Sequence, residues 1–232
     1  MNHLKYIAAV LLLSCIACDH SQKKEGHFFS VSDTTRVEFA SGNLAEDGLG
    51  FVAKSTEYGG LFGWGTGENL KNYSEDYHDY PEFHGWGENF EGGWRTLTIE
   101  EWRYLLFERP NADNKCSTAT IDSVNGLLLL PDFFVLPTGC EFKRRGHGWG
   151  INVYNEFQWR QMDSAGAVFL PCSGFRWGRV IYGLNCEGIY WSSTSTDSCC
   201  AHSMYFSSDT LDTDPDGERH FGHSVRLVRV VE

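Results

Sequence analysis

No apolar stretch in this 232-residue chain is long enough to cross a membrane as a helix. Residues 7–13 form an apolar run, but a helical span needs about 20 such residues. Basic residues are scarce, 19 against 31 acidic ones, for a formal net charge of −12. Only Lys143-Arg144-Arg145 stand together, and a polyanion demands clustered Lys and Arg, so nucleic acid is not an expected partner. Past residue 18 there is no Cys-x-x-Cys pair and no Cys/His group at zinc-finger spacing, which argues against a sulfur-held metal. A Gly-x-Ser-x-Gly elbow is missing too, leaving hydrolase chemistry without its usual local signature. Internal repeats and low-complexity linkers are absent, so residues 28–232 are read as one domain.

The N-terminus reads as an export signal. Lys5 precedes the apolar run, and small residues then lead into cysteine. Leu12-Leu13-Ser14-Cys15 looks like a bacterial lipobox, with Cys15-Ile16-Ala17-Cys18 as a second match. Residues 1–17 are therefore expected to be a lipoprotein signal, cleaved before Cys15 or Cys18, with one of the two carrying the lipid. Residues 18–27 follow as a polar tether. The expected location is the outer membrane or cell surface, held to the membrane through the lipid.

The body of the chain is rich in Gly (25), Phe (16) and Trp (8). That composition describes a loop-rich fold held by aromatic packing. Cys116, Cys140, Cys172, Cys186, Cys199 and Cys200 are free to form disulfides after export, in a pairing the sequence leaves open. Thr98-Ile99-Glu100-Glu101 is a capping box, and Trp102, Leu105 and Leu106 follow at helical spacing, predicting a helix that ends near Arg109-Pro110. A second helix is predicted over residues 156–164, stopped by Ala165-Gly166. Strand-like runs cover residues 28–31, 36–40, 126–130, 167–170, 189–193, 202–206 and 224–231. In the last, Arg226 and Arg229 are assigned to a wetter face opposite Val225 and Leu227. The sum is an α+β domain.

Several segments together resemble the Fibrobacter major paralogous domain family. They are Val37-Glu38-Phe39-Ala40-Ser41-Gly42-Asn43-Leu44, Leu61-Phe62-Gly63-Trp64-Gly65, Trp94-Arg95-Thr96-Leu97-Thr98, Gly174-Phe175-Arg176, Tyr190-Trp191-Ser192-Ser193-Thr194 and Gly222-His223-Ser224-Val225-Arg226-Leu227-Val228-Arg229. The resemblance implies a C-type-lectin-like fold, akin to that of formylglycine-generating enzymes. Two helices would flank small, twisted, mainly antiparallel sheets, with N- and C-terminal strands paired. It also implies a surface protein, and related lectin-fold receptors vary their C-terminal strands through a retroelement that mutates template adenines.

Asp197, Ser198, Cys199, Cys200, His202, Ser203, Tyr205, Ser207, His220, Phe221 and His223 are each reachable from an asparagine codon by changing adenines alone. The residues other than the two cysteines are the candidate ligand contacts for an extracellular protein or glycan, and His202, Tyr205 and Ser207 are expected to share one strand face. Asp212-Thr213-Asp214-Pro215-Asp216-Gly217 opens like a calcium loop, but His223 stands where a bidentate glutamate belongs, so it is read as a solvated turn with no metal. No cofactor is expected. Trp64, Trp86, Trp94, Trp149 and Trp177 are assigned to the core in preference to ligand stacking. A structural subunit of a surface appendage and, less favoured, an oxidase resembling the formylglycine-generating enzymes are the alternatives to a non-catalytic binding protein.

Overall fold

The computed structural model describes residues 27–66, 73–144 and 146–231. The export signal, Cys15, Cys18 and the tether as far as residue 26 lie outside the described residues. In chain order the strands are β1 (Phe29–Ser30), β2 (Arg36–Phe39), β3 (Cys116–Ile121), β4 (Val124–Leu129), β5 (Val153–Tyr154), β6 (Val168–Pro171), β7 (Phe175–Trp177), β8 (Val180–Tyr182), β9 (Gly188–Ser195), β10 (Cys200–Phe206), β11 (Leu211–Asp212), β12 (Asp216–Glu218) and β13 (Val228–Val230). Two helices join them: α1 (Ile99–Arg103), which runs on into a π-helical turn at Tyr104–Glu108, and α2 (Glu156–Ser164). This is an α+β architecture of small sheets.

One three-stranded sheet, ordered β1-β2-β13, ties the start of the domain to its end, with Val228 opposite Phe39 and Val230 opposite Val37. A second is ordered β5-β3-β4-β6 and is antiparallel apart from the β3–β5 pair. Strand β10 organises a third, pairing with β9, β11 and β12. The hairpin β7–β8 stands apart.

Strand β4 explains why the run Leu127-Leu128-Leu129-Leu130 has no polar alternation. Leu127 and Leu129 enter one core with Trp102, Leu105, Tyr190 and Phe206. Leu128 and Leu130 enter another with Trp159, Met162 and Phe169. Both faces of this leucine run are buried, one in the core that holds α1 and the other in the core that holds α2, so each of its positions is apolar. A third core, of Leu44, Phe62, Trp64, Trp86, Trp191, Val225 and Leu227, lies among the loops.

The predicted capping box closes reciprocally. Thr98 Oγ1 accepts from the Glu101 amide at 3.2 Å, and Glu101 Oε2 accepts from the Thr98 amide at 2.9 Å. Such a cap contributes about 1 kcal/mol. The same carboxylate takes both terminal nitrogens of Arg95, each at 2.6 Å. The helix beginning at Glu156 uses a box that the sequence reading passed over, Asn155 with Gln158. Gly166, at φ +95°, ends the turn that follows it.

Two expectations need correction. The strand read over residues 224–231 is regular only at Val228–Val230. Arg226, assigned there to a wetter face, is 2% exposed. It lies inside because the Ala40 carbonyl after β2, the Phe169 carbonyl on edge strand β6 and the Asn43 side chain need a donor, and its guanidinium supplies one to each. Nε donates to Asn43 Oδ1 at 3.0 Å, Nη1 to the Ala40 carbonyl at 2.9 Å and Nη2 to the Phe169 carbonyl at 2.6 Å. Indoles also donate to interior carbonyls, Trp64 Nε1 to that of Ser192 at 2.9 Å and Trp191 Nε1 to that of Phe62 at 2.6 Å.

Candidate binding surface

The C-terminal candidates divide by burial. Asp197 and Ser198 are exposed, and His202, Tyr205, Ser207 and Phe221 are half-buried. Ser203, His220 and His223 are buried. His223 stacks on Trp191 at 4.0 Å between ring centroids and is interior packing, not display. Exchange of these three side chains would reach the core, so they are poor sites for free variation. The shared face expected of His202, Tyr205 and Ser207 also fails. Side chains alternate along a strand, so the odd spacing from His202 to Tyr205 puts them on opposite faces. His202 sits across from Asp216 of β12, its Nδ1 3.1 Å from that carboxylate, whereas Tyr205 Oη reaches Glu187 at 3.4 Å.

The acidic segment after β11 is not a simple solvated turn. Its ends are strands pairing with β10, and Thr213 is buried. Asp212 Oδ1 accepts from the Asp214 amide at 2.9 Å, and Asp216 Oδ1 accepts from Thr196 Oγ1 at 2.7 Å. The carboxylates of Asp212 and Asp216 are thus occupied locally.

Four of the five tryptophans assigned to the core are buried or half-buried, but Trp177 is 50% exposed. It belongs to the β7–β8 hairpin, which the sequence reading missed. Trp177 pairs with Val180 across a two-residue Gly178-Arg179 loop, with Gly178 at φ +55° and Arg179 at negative φ, the glycine-first turn that favours tight hairpins. The signal was present in Phe175-Arg176-Trp177-Gly178-Arg179-Val180-Ile181-Tyr182. Val180, Ile181, Tyr182 and Leu184 are all about half exposed as well. Clustered apolar exposure is a property that interaction sites share.

The hairpin is joined to the C-terminal segment. Arg176 and Gly222 exchange backbone hydrogen bonds, both 2.8 Å. Only glycine fits there, since a Cβ on Gly222 would meet Arg176 Nε at 2.7 Å. This pairing sets Phe221 against Phe175 (5.8 Å) and Trp177 (6.2 Å). Phe175 in turn stacks on Tyr182 at 5.4 Å. Arg176 and Arg179 both lie over the Tyr73 ring, at 4.9 and 5.1 Å.

Phe221 is linked to exposed Glu218 through buried His220, whose ring lies 4.7 Å from that of Phe221 and whose Nδ1 is 3.3 Å from Glu218 Oε2. Glu218 lies opposite Cys200 at the start of β10. The turn 196–200 completes the strip. An aromatic platform at one end is thereby connected to an acidic, thiol-bearing turn at the other. A polar cleft of about 290 Å³ between Glu141, Lys143 and Asn152–Tyr154 includes none of these residues.

Protein-family models, characterised proteins and solved structures were all compared with the chain, and none matches it. Its functional reading rests on this surface and on the sequence.

Proposed function

We propose that the chain is an exported lipoprotein whose C-type-lectin-like domain binds an extracellular protein or glycan, without catalysis, through the β7–β8 hairpin and the adjoining C-terminal strip. The observation that carries this reading is the exposed apolar group of Trp177, Val180, Ile181 and Tyr182, continuous with Phe221. Flat aromatic faces beside charged groups suit sugar rings and protein hot spots alike. The adjacent N- and C-terminal strands, small sheets and two helices are consistent with a lectin-like domain. The lipobox-like Cys15 and Cys18 supply the anchor in this reading.

Two measurements test it. Cells fed labelled palmitate should incorporate it into the protein, and Cys15→Ser or Cys18→Ser, whichever removes the acceptor, should abolish incorporation. Label that persists in the double variant would remove the anchor from the proposal. For binding, fluorescent full-length protein is applied to a glycan array and to intact neighbouring cells. Signal should fall at least about tenfold in Trp177→Ala, the loss of a central aromatic contact. Undiminished signal in Trp177→Ala and in Phe221→Ala would show that the ligand binds elsewhere.

A further inference from the structure

Adjacent residues in an extended chain point to opposite sides, yet Cys199 and Cys200 do not. Their sulfurs lie 3.0 Å apart, at the bend where the turn enters β10. The bend is built to hold them so. Asp197 Oδ1 accepts the amides of both cysteines at 2.8 Å. Buried Arg219 clamps the same residues from below: its amide donates to the Cys199 carbonyl at 2.9 Å, its Nε to the Cys200 carbonyl at 3.4 Å and its Nη2 to the Asp197 carbonyl. The guanidinium is itself fixed over Trp64, 4.4 Å from the ring centroid. Both thiols are half-exposed and therefore reachable by a small reagent.

We propose that Cys199 and Cys200 are a reversible redox modification site, closing to a vicinal disulfide by exchange with an external disulfide such as oxidised glutathione or the active-site disulfide of a thiol oxidase. In the first step one thiolate attacks the external disulfide, forming a mixed disulfide and expelling one reduced thiol. The neighbouring sulfur then loses its proton, attacks the mixed disulfide and releases the second thiol. Two cysteine thiols are oxidised and one external disulfide is reduced to two thiols. Burial, then the contact with Cys199, pushes Cys200 up to about 12. Either sulfur can open the exchange and the other close it, since each attacks as its thiolate. An exposed pair of this kind is readily reopened by small thiols.

The inference concerns the chemistry of the turn and goes beyond the binding reading, because oxidation is detected whether or not a ligand binds. Folded full-length protein is incubated with oxidised glutathione in the presence of a metal chelator, alkylated and peptide-mapped, so that Cys186 and the buried cysteines are counted separately. The expected result is a peptide carrying Cys199 and Cys200 that is unalkylated and lighter by two hydrogens, and that becomes doubly alkylated after dithiothreitol. In Cys200→Ser and in Cys199→Ser the remaining cysteine should retain a glutathione adduct for want of a resolving thiol. Full alkylation of both cysteines in the wild type, or pairing of either with a distant cysteine, would overturn the proposal.

Discussion

Replacing Arg226 with Met should lower the unfolding free energy by about 3–5 kcal/mol. The estimate follows from what the guanidinium leaves behind. Three acceptors, Asn43 Oδ1 and the carbonyls of Ala40 and Phe169, lose their donor in the interior. Each unpaired buried group costs about 1–3 kcal/mol, part of which is returned by no longer burying a charge. Burial pulls Arg226 down to about 10, which still leaves it protonated at neutral pH. Asn43 also donates to Tyr190 Oη at 3.1 Å, and Tyr190 donates to the Pro171 carbonyl at 2.9 Å, so the loss spreads into a shared network. Arg226→Lys keeps the charge but lacks the planar fork and cannot serve three directions, so it should recover only part of the loss. Urea unfolding followed by tryptophan fluorescence measures both. A Met variant within about 1 kcal/mol of the parent would show that these hydrogen bonds are not what closes the C-terminal segment onto the loops.

Arg226 also shows where the sequence could be read and where it could not. Local signals were legible. The Thr98 box, the spacing of Trp102, Leu105 and Leu106, and the Ala165-Gly166 stop are encoded within a few residues, and both helices stand where they were expected. Strand β3 was passed over because its hairpin to β4 turns on Asp122 and Ser123, at φ 47° and 70°, instead of the Asn-Gly or Gly-Gly pair that advertises such a turn. Burial of arginine was illegible for a different reason. An alternating Val-Arg-Leu pattern has the period of a half-wet strand, and nothing local says that the Phe169 and Ala40 carbonyls, 57 and 186 residues away, will need the guanidinium. The same holds for the binding surface. Codon arithmetic placed Ser203, His220 and His223 among displayed residues, but all three side chains are buried, and codons carry no information on burial. The hairpin that carries Trp177 was legible in its Gly-Arg turn and was obscured by the assignment of that tryptophan to the core.

His223 gives the domain an acid-sensitive core. Burial, with a smaller effect of Arg176, pushes it down to about 3. In the unfolded chain a histidine takes up its proton near pH 6.5. The folded state therefore holds it neutral, and below about pH 6.5 the unfolded state binds one proton more. Stability contributed by keeping this ring neutral is fully present above about pH 6.5 and is lost as the pH falls toward the folded value, at up to about 1.4 kcal/mol per pH unit. Between about pH 6.5 and about pH 4.5 the loss attributable to this residue should approach 2–3 kcal/mol. His223→Phe isolates it. Phenylalanine preserves the stack on Trp191, and the imidazole Nδ1 it replaces has no hydrogen-bond partner. The variant should unfold at nearly the parental urea concentration at neutral pH and at a distinctly higher one at acid pH, because it removes the only term that depends on this ring's protonation. Parallel slopes of stability against pH in the two proteins would mean that His223 takes up its proton as easily in the fold as outside it, and would overturn the prediction.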